Sequence, residues 1–233
     1  MDIRKYYSAY LSEIAYQDEE NIRIKLEKIG FRFIKFFDFE PMQAYLCECK
    51  DGQTLVFRGS EADWNDWKTN FDIELIDTYI GKVHKGYFEI LDEARVKIEK
   101  YILDKNILLT GHSAGAAFTC IMAKILDYKY RYNCSAIGFE PPKFTGDKNF
   151  YPKFVFTVNN ADGVSRLPLK VMGYSRTGKM IFFNLRGRYI KHSYLLERIV
   201  SFLIDIDDIA KDHSMKEVRR LWVKNWEKIN KNI

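Results

Sequence analysis

Two hydrophobic periods alternate along the chain. In the opening stretch Ile3, Tyr6, Tyr7, Tyr10, Leu11 and Ile14 recur at helical spacing, which predicts an amphipathic helix over 3–16. A second, shorter helix is predicted over 19–29, with Gly30 placed to end it. The pattern then turns strand-like in three runs, 31–39, 43–49 and 53–57. Asp51-Gly52 between the last two is a tight-turn signal, because such turns need residues that accept positive φ. A Trp- and Asp-rich stretch from Arg58 to about Ile80 reads as a loop. After it, Tyr87, Ile90, Leu91, Ala94, Ile98 and Ile102 restore the helical period and predict a helix over 87–102.

The second half changes character. Ile107-Leu108-Leu109-Thr110 is short, apolar and unalternating, as a strand buried on both faces should be. It meets Gly111 and then a helical pattern over 114–128. Further strands are predicted at 135–139 and 154–158, and helices at 190–209 and 214–229. Strands alternating with helices predict an α/β fold around a mostly parallel sheet, covered by helices on both faces. With 233 residues and no repeat or linker, one domain spanning 1–233 is the economical reading.

Composition narrows the picture. A hydrophobic content of 47% excludes an intrinsically disordered chain. The longest apolar candidate, 114–123, is about half of the roughly 18 residues a membrane span needs. The N-terminus, Met1-Asp2-Ile3-Arg4-Lys5-Tyr6-Tyr7, has no signal-peptide apolar core, so the expected location is the cytoplasm, with signal-independent export or prior removal of a signal as alternatives. The net charge of +5 is concentrated: residues 211–233 hold seven basic and three acidic side chains. The excess is a local feature of the last helix, not the footprint of a nucleic-acid-binding face. Cys47, Cys49, Cys120 and Cys134 lack zinc-site or C-x-x-C spacing and read as structural thiols.

The candidate chemistry centres on Thr110-Gly111-His112-Ser113-Ala114-Gly115, a G-x-S-x-G with a buried-type strand before it and a helix after it. A serine at such a sharp turn projects its hydroxyl at the carboxyl edge of the sheet. Small residues two before and two after it remove the clashes. The following helix aims its free N–H groups at the reacting centre. A hydroxyl needs a base to become nucleophilic, and that base needs an orienting acid. Asp162, just after the 154–158 strand, is placed for the acid in the chain order Ser, Asp, His. His84 precedes Ser113, against that order, and His112 adjoins it and should point elsewhere. His192 and His213 both follow Asp162, and spacing alone leaves the choice open.

Six blocks occur in one order: Phe57-Arg58-Gly59-Ser60, Trp64-Asn65-Asp66-Trp67, Val83-His84-Lys85-Gly86-Tyr87-Phe88, the 110–116 elbow, Gly138-Phe139-Glu140-Pro141-Pro142 and Asp162-Gly163-Val164-Ser165-Arg166-Leu167-Pro168. Over about residues 6–218 the chain thereby resembles the class 3 lipases, the fungal-lipase-like branch of the α/β hydrolases. The resemblance implies the α/β-hydrolase fold and a Ser-Asp-His triad acting on carboxylic esters, usually of lipids, without metal or organic cofactor. By position it implies Ser113 as nucleophile, Asp162 as acid and His213, just ahead of the last helix, as base. The oxyanion hole it implies is the backbone N–H of Ala114 together with Ser60. Three departures bear on the acyl pocket: Ala114 and Ala116 where the family more often has Leu and Gly, Ser60 where Thr is commoner, and Glu140 in place of a small residue.

Residues 61–80 occupy the family's lid position. Trp64, Trp67 and Phe71 would form one apolar face there, either a mobile lid or a permanent part of the core. The last helix carries a stripe of Val218, Leu221, Trp222, Trp226 and Ile229 among Lys216, Arg219, Arg220, Lys224 and Lys228. That stripe either buries against the core or lies transiently at a lipid surface. The expected function is a serine lipase or esterase. The rivals are phospholipase A1 or another acyl hydrolase or transferase on the same triad, and an inactive lipase-like scaffold. Sequence sets neither the oligomeric state nor the acyl chain length.

Overall fold

A computed structural model describes residues 2–60, 74–159, 164–168, 170–184, 186–190, 214–231 and 233. Helix α1, Ile3–Ile14, starts where the Asp2 carboxylate accepts the Arg4 N–H. Helix α2, Glu19–Lys28, starts with Asp18 accepting the Asn21 N–H, and carries acids in its first turn and lysines in its last, as the helix dipole favours. Gly30, at φ +77°, then reverses the chain. Strands β1 (Arg32–Phe39), β2 (Met42–Cys49) and β3 (Gly52–Phe57) form an antiparallel meander. Gly52 has φ +113° in the expected Asp51-Gly52 turn.

The stretch read as a loop up to Ile80 ends differently. Leu75–Thr78 (β4) pairs with Gly81–His84 (β5) in a separate two-stranded hairpin, turned at Gly81 with φ +122°. Strands of four residues carry too little periodicity to announce themselves. The observed lid-position residues therefore begin in strand from Leu75, and Trp64, Trp67 and Phe71 lie outside the described residues.

Helix α3, Lys85–Ile98, continues into a 3-10 turn, Glu99–Tyr101. Strand β6, Leu108–His112, leads into α4, Ala114–Tyr130. Strands β7 (Ser135–Phe139), β8 (Phe154–Asn159), β9 (Lys179–Phe183) and β10 (Tyr189–Ile190) complete an eight-stranded sheet of order β1-β2-β3-β6-β7-β8-β9-β10. The strands from β3 to β9 in that order are parallel, and the edges are antiparallel. Tyr189 and Ile190 thus belong to an edge strand, not to a helix beginning at 190; the rest of the predicted 190–209 helix lies outside the described residues. Helix α5, Met215–Asn230, closes the chain.

Successive residues of β6 point to opposite layers, which explains their lack of alternation. Leu109 joins the layer of α3 and α4, with Leu91, Ala117 and Ile121. Leu108 joins the layer of α1 and α5, with Ala9, Val218 and Trp222. The stripe of α5 is buried in that second layer. Trp222 donates its indole N–H to the Tyr6 carbonyl at 3.1 Å, and Arg219 pairs with Glu13 of α1 at 2.8 Å. The core reading of this helix therefore holds for its apolar stripe. Among the described residues no helix is long and apolar enough to cross a membrane.

The four cysteines are free, and Cys47, Cys120 and Cys134 are buried. Burial raises all three thiols, Cys134 to about 12, so they stay protonated and behave as small apolar groups.

Candidate active site

The site is built from the exits of parallel strands at one edge of the sheet. Ser113 stands between the end of β6 and the start of α4, with φ 54° and ψ −125°. That backbone region costs a residue with a side chain of order 1–3 kcal/mol, and is held only where the surroundings over-determine it. Here they do. The Ser113 N–H donates to the Phe139 carbonyl at 2.8 Å, tying the turn to the exit of β7. A Cβ on Gly111 would lie 2.5 Å from the Gly115 carbonyl oxygen. One on Gly115 would lie 2.4 Å from that of Phe57. The two glycines therefore let β3, β6 and α4 converge around the serine, as the G-x-S-x-G spacing predicts. Ser113 itself is half-buried, so its side chain is partly open to solvent.

Ala114 is the first residue of α4, so its N–H is one of the four that a helix leaves without an internal partner. The second expected oxyanion donor, Ser60, is exposed and follows Gly59 at the exit of β3. A Cβ on Gly59 would lie 3.2 Å from the Ser113 Cβ and 2.7 Å from the His112 carbonyl oxygen. The β3 exit thus lies directly against the nucleophile turn, and Ser60 and Ala114 flank it.

Asp162 and His213 lie outside the described residues, as does His192. Their anchors are described. Strand β8 ends at Asn159, three residues before Asp162, and runs parallel to β6 and β7, so it exits at the edge that carries Ser113. After Asp162 the chain is held by Lys143, whose backbone N–H donates to the Leu167 carbonyl and whose ammonium donates to that of Pro168. His213 is two residues before α5, the helix buried beneath the same strands.

The two other histidines are structural in placement. His84 is buried at the start of α3, with its ring 4.7 Å from that of Tyr87 and 6.0 Å from that of Tyr174. His112 turns away from the site, as its place beside Ser113 predicts. Its ring lies between the Tyr16 hydroxyl, 2.7 Å from Nδ1, and the Glu140 carboxylate, 3.3 Å from Nε2. Sequence reasoning flagged Glu140 only as a change near the acyl pocket, and it did not single out Tyr16. No local signal links residues so far apart in the chain. Among the described residues no group of three His, Cys, Asp or Glu side chains is arranged to hold a metal ion.

Comparison with known proteins bears on the family and the fold. Residues 54–172 match the family model described as lipase (class 3). A secreted mono- and diacylglycerol lipase of Malassezia restricta is 31% identical over 111 residues, covering 42% of this chain and 37% of that protein. The match thus spans little more than a third of that relative. Among solved structures, Rhizomucor miehei triacylglyceride lipase superposes with TM-score 0.68 at 18% identity, over 91% of this chain and 92% of that one. Mono- and diacylglycerol lipase from Aspergillus oryzae gives TM-score 0.57 at 19% identity, over 78% of each chain. At such identities the likeness speaks for the fold, which is that of the α/β hydrolases.

Proposed function

Since the chain belongs to the class 3 lipase family, we propose that it hydrolyses carboxylic esters of lipids through a serine acyl-enzyme. The observation that carries this reading is the Ser113 backbone, at φ 54° between β6 and α4. A serine that only turned the chain would gain nothing from a strained conformation held by two close-packed glycines. Ser113 attacks the ester carbonyl while His213 takes its proton. Asp162 orients the imidazole and stabilises the imidazolium that forms. The Ala114 N–H and Ser60 receive the developing oxyanion. In such sites one preplaced donor accounts for roughly 2.7–4 kcal/mol of the barrier. The imidazolium returns that proton to the departing alcohol, and His213, neutral again, activates the water that releases the acid.

The test is covalent labelling by an organophosphonate, with turnover of p-nitrophenyl esters of increasing acyl length. We expect labelling at Ser113, turnover in wild type, and loss of both in Ser113→Ala. Folded wild-type protein that neither labels nor turns over any ester or phospholipid vesicle would refute the reading and leave a lipase-like binding scaffold. Turnover confined to phospholipid would move the substrate to a phospholipase A1 class without changing the triad.

A further inference from the structure

Behind the nucleophile lies a chain of side chains that the reaction above does not use. The Tyr16 hydroxyl, just beyond α1, meets Nδ1 of His112 at 2.7 Å. Nε2 of the same ring meets Oε2 of Glu140 at 3.3 Å. His112 is 4% exposed and Glu140 is 0% exposed. His112 ends β6 and immediately precedes Ser113, and Glu140 immediately follows β7. The Ser113 N–H donates to the Phe139 carbonyl, which ties the nucleophile turn to the exit of β7, and the Glu140 N–H donates to the Thr157 carbonyl of β8.

Glu140 carries two costs at once. Its φ is +53°, a conformation that disfavours any residue with a Cβ. Its carboxyl is buried, which is unfavourable unless a hydrogen-bonding or charged partner meets it. A glycine here would avoid both. One oxygen of that carboxylate, Oε2, meets the His112 ring.

The far end of the chain reaches the oxyanion loop. A Cβ on Gly59 would lie 2.1 Å from the Tyr16 hydroxyl oxygen, 2.7 Å from the His112 carbonyl oxygen and 3.2 Å from the Ser113 Cβ. The Arg58 guanidinium lies 5.7 Å from the Tyr16 ring centroid. Gly59, next to Ser60, is thus wedged between the Tyr16 oxygen and the main chain of the nucleophile turn.

We propose that Glu140 is a positioning residue that acts through His112 and Tyr16. Its carboxylate accepts the Nε2–H of His112, which leaves Nδ1 to accept the Tyr16 O–H. That fixes the ring, the Tyr16 hydroxyl and, through Gly59, the spacing between Ser113 and Ser60. Without the carboxylate the ring loses the partner that orients it from the Nε2 side, and its Nδ1 contact with the Tyr16 hydroxyl is no longer held in place. The loop at 58–60 then loses a support. The oxyanion donors bind the transition state more than the ester, so their misplacement falls on kcat and spares KM. This inference rests on Ser113 being the nucleophile.

The experiment compares full-length wild type, Glu140→Gly, Glu140→Gln and Tyr16→Phe. It reads kcat and KM on a p-nitrophenyl ester, the rate of Ser113 phosphonylation per folded molecule, and thermal melting. Glu140→Gly should lower kcat and the labelling rate on the order of 10- to 100-fold at unchanged KM, while still melting cooperatively. Glu140→Gln keeps an acceptor oxygen and should recover most of that loss. Tyr16→Phe keeps the ring and should show the same kcat-selective loss; it decides the matter alone if Glu140→Gly does not fold. Wild-type kcat and labelling rates in both Glu140→Gly and Tyr16→Phe would overturn the proposal, as would a loss explained wholly by the folded fraction. If wild type labels at Ser113 and the variants match it, only this inference falls. If wild type does not label, the nucleophile assignment falls and takes this inference with it.

Discussion

The tightest quantitative handle on the site is Gly115, the second residue of α4. Replacing it with Ala puts a Cβ 2.4 Å from the Phe57 carbonyl oxygen and 2.8 Å from that of Arg58. Ordinary contact begins at 3.4 Å, so α4 and the exit of β3 must part by about 1 Å. Both obstacles are main chain, so no side chain can swing away to relieve the clash. Overpacking of this kind costs typically about 1–3 kcal/mol. At roughly 2–4 °C per kcal/mol for a chain of this size, the melting temperature should fall by about 2–12 °C. Activity should suffer more. The displaced segment leads directly to Ser60, and a misplacement of about 1 Å can cost on the order of 100-fold in rate. The control is Gly30→Ala. Gly30 has φ +77° with nothing within 4 Å of a new Cβ, so it bears only backbone strain of about 1–2 kcal/mol. It should lose a few degrees of melting temperature and no kcat. The assay pairs thermal denaturation by circular dichroism with steady-state ester hydrolysis. A folded Gly115→Ala enzyme with wild-type kcat would refute the argument, as would an equal loss of kcat in Gly30→Ala.

Three further outcomes are expected. His213→Ala should abolish ester turnover while His192→Ala retains it; the reverse result would move the base to His192. Trp222→Ala empties a fully buried site against Phe139 and Trp226, and should cost about 3–5 kcal/mol, measured as a lower denaturation midpoint in urea. Alkaline stability should decline from about pH 9 upward. Burial raises Cys134 from 9.0 to about 12, so above pH 9 the unfolded chain binds fewer protons than the folded one and stability falls with pH. Melting temperatures that stay flat from pH 9 to 11 would contradict that assignment.

Much of the architecture was legible in the chain because its signals are local. The Asp51-Gly52 turn, the helical stripe of α1 and the unalternating Leu108-Leu109 run each report their own environment within a few residues. The short β4–β5 hairpin, strand β9 and the edge strand β10 were not legible. Strands of two to five residues have little pattern of their own, and their pairing partners supply most of the reason they are extended. The last helix shows the same division. Its stripe was visible in sequence, yet only packing against α1 and the sheet decided that Trp222 and Trp226 are core.

The site divides in a similar way. By itself the sequence determined that a serine stands between a buried strand and a helix with glycines at the two positions where a Cβ cannot fit. It determined this because the elbow is a contiguous motif whose sterics act over five residues. It also placed His112 outside the catalytic set, since adjacent side chains on a strand end diverge. Tertiary structure alone decided that Gly59 abuts the nucleophile turn and that Tyr16, His112 and Glu140 meet. Those contacts join residues separated by 96 and 28 positions. They exist only because parallel strands β3, β6 and β7 end at one sheet edge, and no local pattern encodes which strand ends become neighbours.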